Sequence, residues 1–316
     1  MSGKEVRDGV SLTNLDQPLF EGADATKRDL VNYLDAVADR IVPELSDRPL
    51  SVVRVVRGQA PFMQKNVPRY TPPWVRTVPL WAETSKREVH YALCNDRRTL
   101  LWFANQRAVE YHPTLFRTDH WDRPTHLVLD LDPPHADAFP LAVRAAHLVR
   151  QALAEAGLEG AVKTSGAKGL HVFVPTEAQA TTDDVAAATR AIAARAERLD
   201  STLVTTAYVR DERGGKVFVD STRAGGATVV SAYSTRIRPG APVSFPLPWG
   251  ELDRVKPSDF TVHSAARLIA ESDPWAERMP QPQKLSSDLI EEGRAIPVAR
   301  VQAMHEGKRR ARARRP

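Results

Sequence analysis

Asp130 and Asp132 stand two residues apart in the apolar run Leu127–Leu131, so a strand there turns both carboxylates to one face. Hard oxygen ligands at that spacing suit Mg²⁺ or Mn²⁺, although carboxylates at a strand end also cap a following helix. Asp220 closes a second apolar run, Val217–Asp220. If it meets the first pair in space, the three acids make a centre for two-metal phosphoryl transfer. Between them lies Ser165-Gly166-Ala167-Lys168-Gly169-Leu170-His171. Its glycines let backbone N–H groups approach an anion, Ser165 adds a hydroxyl and Lys168 a point charge. His171 adds a donor for phosphate or sugar. A hairpin turn with solvated polar residues is the plainer reading, and the segment does not match the Gly-x₄-Gly-Lys-Ser/Thr phosphate loop. Arg236 and Arg238 offer guanidinium forks for a triphosphate, or are exposed edge-strand arginines. His112 by itself reads as a core or helix-end histidine. Together the set suits divalent-metal and nucleoside triphosphate chemistry.

The elements that must hold these groups follow from periodicity and punctuation. His126 to Asp132 alternates as a strand, and Pro133 and Pro134 end it. Pro140 suits the first turn of a helix whose stripe runs from Leu141 to Ala156, with Gly157 closing it. Residues 162–164 and 170–174 read as two strands around the glycine turn. Residues 182–199 read as an amphipathic helix, and 217–220 and 227–233 as strands. Upstream, Thr26 and Asp29 cap a helix through Ile41, with Pro43 just past its end. Residues 51–56, 88–93 and 100–104 predict strands. A Pro-rich basic stretch covers 61–79, and 105–112 a turn or short helix. The C-terminal third is expected to wrap the core, with helices over 261–271 and 285–306.

The 316 residues carry 42% hydrophobic and 26% charged side chains, as a soluble globular protein does. No apolar run approaches the roughly 20 residues of a membrane span, and the polar N-terminus is no signal peptide. A single cysteine, Cys94, excludes an intramolecular disulfide and a Cys-based zinc site. The expectation is a cytoplasmic, nucleoid-associated protein with no membrane partner. The net charge of +5 comes from the end of the chain: without the last nine residues, 38 Lys and Arg face 39 Asp and Glu. That basic tail, 301–316, reads as a solvated end or a sequence-independent anchor on nucleic acid phosphates. Residues 1–300 read as one catalytic unit of two packed modules.

The three acidic and glycine-bearing segments, in this order, resemble the catalytic motifs of the archaeo-eukaryotic primase superfamily. The closer resemblance is to the polymerase domain of bacterial ATP-dependent DNA ligase D and its stand-alone relatives. Other matching pieces are Leu12 to Asp16, Thr26-Lys27, Phe62 to Lys65, Trp102 to Gln106, Glu110 to His112, Ala232 to Arg236 and Trp249 to Leu252. The likeness covers roughly residues 10–300. It implies an α/β (α+β) fold: a catalytic sheet of mixed or antiparallel strands, related to the RNA-recognition motif, packed with a second α/β module. It implies nucleotidyl transfer with two Mn²⁺ or Mg²⁺ ions and NTP or dNTP as substrate. Asp130, Asp132 and Asp220 match the metal ligands. Ser165, Lys168, His171 and Arg236 match groups that hold the incoming nucleotide, with Arg238 beside them. His112 matches a histidine near nucleotide and primer end, and Lys27 a residue that recognises a downstream 5′ phosphate. Lys65 joins Lys27 on the phosphate backbone, and Phe62 stacks on a base.

Three positions depart from the family. Gln17 stands where a second lysine is common, Met63 where a template-stacking aromatic is common, and Val53 where a basic residue is common. The first departure implies a weaker grip on a 5′ phosphate. No Lys-x-Asp-Gly nucleotidylation motif occurs, so ligation is not expected, and a phosphoesterase domain has no room. The resemblance implies a polymerase acting on gapped or broken DNA with a separate ATP-dependent ligase and the Ku end-binding protein. Two other readings are a non-catalytic DNA-end scaffold for ligase and Ku, and an Asp-x-Asp glycosyltransferase. The last leaves Ser165 to His171 and Asp220 unexplained.

Overall fold

Thr26 caps its helix as the spacing predicts. Its hydroxyl accepts the Asp29 N–H, and the Asp29 carboxylate accepts the Thr26 N–H. The computed structural model describes residues 5–82, 86–224, 227–270 and 272–297, so the basic segment 301–316 lies outside the described residues. The N-terminal half holds β1 (Glu5–Arg7), β2 (Val10–Leu12), α1 (Lys27–Ala36), α2 (Ala38–Leu45), β3 (Leu50–Arg54), β4 (Phe62–Gln64), β5 (Thr77–Ala82), β6 (Arg87–Ala92), α3 (Arg97–Asn105) and β7 (Ala108–Pro113). The sheet here runs β4-β3-β6-β5, and β7 also pairs with β3.

Several elements depart from expectation. The helix expected through Ile41 breaks at Val37, and Pro43 lies inside α2 rather than past an end. Residues 100–104 are helical, not a strand. The Asp96 carboxylate accepts the Thr99 N–H to start α3, and a short apolar run cannot by itself distinguish a strand from a buried helix. The expected turn over 105–112 is mostly β7, held by its ladder to β3. The Pro-rich stretch contains β4, which only tertiary pairing with β3 explains.

The second half holds β8 (His126–Asp132), α4 (Phe139–Glu155), β9 (Ala161–Thr164), β10 (Leu170–Pro175), α5 (Thr182–Leu199), β11 (Val204–Thr205), β12 (Val217–Asp220), β13 (Pro246–Leu247), α6 (Ala265–Leu268), α7 (Pro274–Arg278) and α8 (Ser287–Ala295). The six-stranded order is β11-β12-β8-β10-β9-β13. Its inner four strands, connected β8-α4-β9-β10-α5-β12, form a βαββαβ unit of the RNA-recognition-motif type. All its pairs are antiparallel except β11 with β12. The expected strand over 227–233 has only an isolated bridge, Thr114 with Thr228, and Tyr233 turns the chain at φ +65°. The two C-terminal helices are shorter than expected: 265–268, and 287–295 with 298–306 outside the described residues.

Buried side chains form one continuous core across both halves, from Leu30 and Leu34 through Tyr111 to Leu129 and Ile192. Tyr33 and Tyr111 stitch the halves together: the Tyr33 hydroxyl donates to the Tyr233 carbonyl at 2.7 Å, and the Tyr111 N–H to Ser234 Oγ at 2.9 Å. No helix among the described residues is long and apolar enough to cross a membrane.

Candidate active site

Strand register decides which groups meet. On β8, Asp130 lies opposite His171 of β10 on one side and Asp220 of β12 on the other. One residue thus sits at the middle of a row of three, and all three side chains share a sheet face. Asp132 projects from the same face two residues on. The Asp130 and Asp220 side chains are 13% and 9% exposed and that of Asp132 38%, so two acids are deep and the third reaches solvent.

Cations hold this cluster. Arg223, in the turn after β12, places Nη2 at 2.6 Å from Asp130 Oδ2 and 3.1 Å from Asp220 Oδ2. Lys168 Nζ lies 3.6 Å from Asp132 Oδ1 and donates to the Pro133 carbonyl at 2.6 Å. The other Asp220 oxygen accepts the N–H and hydroxyl of Thr222. Burial would raise the Asp130 carboxyl, but His171 and Arg223 outweigh it and hold the group below the usual range. Asp132 goes the other way, raised by burial and by the charge of Asp130. Beneath them, Lys163 is fully buried and its ammonium nitrogen bridges His171 Nδ1 at 2.9 Å and Ser244 Oγ at 2.6 Å. His171 Nε2 then faces Asp130 Oδ1 at 3.3 Å. Burial, with Lys163 beside it, pushes the His171 imidazole down to about 4.

The glycine turn is built by close approach. A Cβ on Gly169 would lie 2.1 Å from the Leu131 carbonyl oxygen, and Gly166 has φ +66° with Arg236 and the Ser244 backbone against it. Ser165 Oγ accepts the N–H groups of Ala167 and Gly169, both at 3.2 Å. Those two N–H groups, which the sequence suggested for an anion, are therefore turned inward. Anion-binding capacity rests instead on side chains. Arg236 donates to the Ser165 carbonyl, and its Nε lies 3.2 Å from Glu110 Oε1. The other Glu110 oxygen meets His112 Nε2 at 2.8 Å, and the carboxylate also accepts the Ile237 N–H. Glu110 thus ties His112 and Arg236 together across the two halves. Burial lowers the His112 imidazole. Asp130, Asp132, Ser165, Lys168, His171, Arg236 and the exposed Arg238 line one open cavity of about 440 Å³. His112 is not among its walls.

The residues expected on DNA lie elsewhere, in the N-terminal half. Phe62 and Lys65 are exposed at edge strand β4 and just beyond it, with the Arg54 guanidinium 5.9 Å from the Phe62 ring centroid. Lys27 is not on the surface. It is only 3% exposed, and its ammonium donates to the Thr13 carbonyl at 2.5 Å and Asn105 Oδ1 at 2.7 Å. A phosphate reaching it must compete with both. Gln17, Arg57 and Arg107 line a separate hollow of about 820 Å³ nearby.

Arg223, Lys163 and Glu110 escaped the sequence reading. Glu110 and His112 are two apart on β7, the same spacing as Asp130 and Asp132, and that signal was available. Arg223 and Lys163 gave none, because only strand register brings Asp130 to Arg223 and only the fold brings Ser244 to Lys163. The donor chemistry fits divalent metal: three carboxylates, two converging on one point. As arranged, no group of three His, Cys, Asp or Glu side chains among the described residues is poised to hold an ion. The Arg223 guanidinium stands where Asp130 and Asp220 converge.

The family described as LigD, primase-polymerase domain, matches residues 26–275. The bifunctional non-homologous end joining protein LigD of Bacillus subtilis is 33% identical over 294 residues, 90% of this chain and 47% of that protein. The multifunctional LigD of Pseudomonas aeruginosa is 30% identical over 290 residues, 89% of this chain and 34% of that protein. The chain thus spans less than half the length of these relatives. The polymerase domain of Mycobacterium tuberculosis ligase D, solved in complex with DNA, superposes with a TM-score of 0.77 at 29% identity, covering 85% of this chain and 97% of that one.

Proposed function

The chain belongs to the family of LigD primase-polymerase domains, and from that premise we propose that it is a DNA-dependent nucleotidyltransferase adding NTP or dNTP to a primer 3′-hydroxyl during end joining or gap filling. The observation that carries the reading is the row His171–Asp130–Asp220 beside Asp132, of which His171, Asp130 and Asp132 wall a cavity that also presents Lys168, Arg236 and Arg238 while Asp220 adjoins it through Asp130. Asp130, Asp132 and Asp220 are the groups to hold two Mn²⁺ or Mg²⁺ ions. Such ions would lower the pKa of the attacking hydroxyl and steady the leaving pyrophosphate. Lys168, Arg236 and Arg238 bind the triphosphate as charge-assisted donors. Glu110 keeps the Arg236 guanidinium oriented, so the arginine needs no rearrangement when an anion arrives. His171, locked by Lys163, supports Asp130 from behind. Phe62 and Lys65 take the template side, one by stacking and one by charge. Gapped or broken DNA, a separate ATP-dependent ligase and Ku are the partners this reading implies.

A second reading, a DNA-end scaffold without catalysis, draws on the ion pairs that neutralise the acids through Arg223. Manganese-dependent incorporation of a labelled nucleotide into gapped DNA separates the two. The polymerase reading expects incorporation that ceases with chelator. DNA binding without incorporation, at any divalent ion concentration, would leave only the scaffold. Asp-x-Asp glycosyl transfer has no support in the family to which the chain belongs.

A further inference from the structure

We propose that Arg223 is a built-in cation that occupies the place of a divalent ion and must leave before the centre loads, so that it sets the metal concentration the protein responds to. The inference rests on the metal-dependent reading above. Its basis is that one nitrogen, Arg223 Nη2, takes the inner oxygens of both deep acids, Asp130 Oδ2 at 2.6 Å and Asp220 Oδ2 at 3.1 Å. The remaining oxygens are engaged otherwise: Asp130 Oδ1 faces His171, and Asp220 Oδ1 accepts twice from Thr222. The Oδ2 pair is therefore what a shared ion would use. A contraction of roughly 0.5 to 1 Å per contact brings those oxygens from a guanidinium to Mg²⁺ distance. A guanidinium and a divalent ion cannot share that point.

Arg223 is also poorly anchored apart from these two oxygens. Its side chain is 30% exposed, and its Nε is buried without a hydrogen-bond partner. It sits in a turn rather than on the strand, so it can swing away without breaking the β12 ladder. Held by one nitrogen, Arg223 compensates the acid charge until a stronger cation replaces it.

The test is Mn²⁺ binding, read from the EPR signal of free ion during titration of the full chain without nucleotide or DNA. Arg223→Gln is expected to bind Mn²⁺ at least tenfold more tightly than wild type, and to melt lower without metal but gain more from its addition. Arg223→Lys keeps a cation and is expected to stay closer to wild type. Should Arg223→Gln fold, by circular dichroism, yet bind Mn²⁺ no more tightly, the proposal is overturned. Should it not fold, Arg223→Lys decides instead, and binding of Mn²⁺ less tightly than wild type by that variant overturns the proposal. Asp130→Asn separates the two levels. If it abolishes Mn²⁺ binding while Arg223→Gln changes nothing, the metal reading stands and Arg223 is not its competitor. If Asp130→Asn leaves Mn²⁺ binding intact, the ion sits elsewhere and both fall.

Discussion

The two faces proposed to meet substrate are built on opposite plans. On the β8–β10–β12 sheet, Asp130 and Asp220 are enclosed, their pairing is fixed by register, and both are held by the Arg223 guanidinium. At edge strand β4, Phe62, Met63 and Lys65 stand in solvent. A pre-positioned cluster acts on charge that develops at one point, and misplacing it forfeits most of its effect. An exposed rim of aromatic and basic groups accommodates many sequences and acts through additive, salt-screened contacts. Substitutions on the two faces should therefore differ in kind as well as in size.

The largest expected effect is on the enclosed face. Asp220→Ala should lower primer extension by about a thousandfold or more, an energy of about 4 kcal/mol, with the far-ultraviolet circular dichroism unchanged. Extension at the wild-type rate would break the comparison outright, since the acid cluster would then be a structural ion pair. Next comes the turn. Gly169→Ala would put a methyl 2.1 Å from the Leu131 carbonyl oxygen, a backbone atom between Asp130 and Asp132 that cannot step aside. A stability loss of about 1–3 kcal/mol is expected in a urea titration. The same substitution at Gly58, on the other half, meets nothing within 4 Å and should cost only the strain of its φ of +75°.

The contrast also explains what the sequence disclosed. Alternation around Asp130 and Asp132 fixes a strand and a face, so the acids were legible from spacing alone, as was the Thr26 cap. The glycine turn was legible as a turn but misleading as an anion cradle, because only in the folded chain does Ser165 take its N–H groups. Arg223 and Lys163 were invisible as site residues, since Asp130 and Ser244, which complete their contacts, lie far away in sequence and are chosen by strand order. In the N-terminal half, α3 differs from the expected strand because Leu100 to Ala104 is a short buried apolar run, where periodicity carries little, and β7 differs from the expected turn because its pairing with β3 is a tertiary contact. Lys27 read as a surface phosphate ligand through family likeness, and its burial has no signature in the chain.

On the open face the effects should be graded. Phe62→Ala is expected to weaken binding of a primed template by about 1 kcal/mol, near the low end for a stacked base. Lys65→Ala should weaken it only a few-fold and reduce the slope of log K against log salt by about 1. Affinity measured by fluorescence anisotropy at several salt concentrations separates the two, because the Phe62 variant should keep the wild-type slope. If Lys65→Ala instead removed extension while sparing binding, the open face would be reaching into the chemistry and the distinction would fail.

Lys27 is the smallest and sharpest case, because it lies in the half proposed to meet DNA but is buried, at 3% exposed. Burial, helped by the charge of Arg107, brings its ammonium down to about 8 from the ordinary 10.5. The folded chain therefore sheds this proton before the unfolded chain does. Between about pH 8 and 10.5 the unfolded state binds more protons, so this group makes stability rise with pH across that window, and its penalty is fully present below it. Lys27→Met should flatten that rise in urea midpoints collected from pH 7.5 to 10.5. An unchanged profile would mean that Lys27 faces water in solution and belongs with Lys65. A 5′ phosphate that does reach it must favour the charged form. Binding a 5′-phosphorylated gap at pH 9 should then take up protons, by calorimetry in two buffers, beyond any uptake with a 5′-hydroxyl gap, and Lys27→Met should abolish the difference.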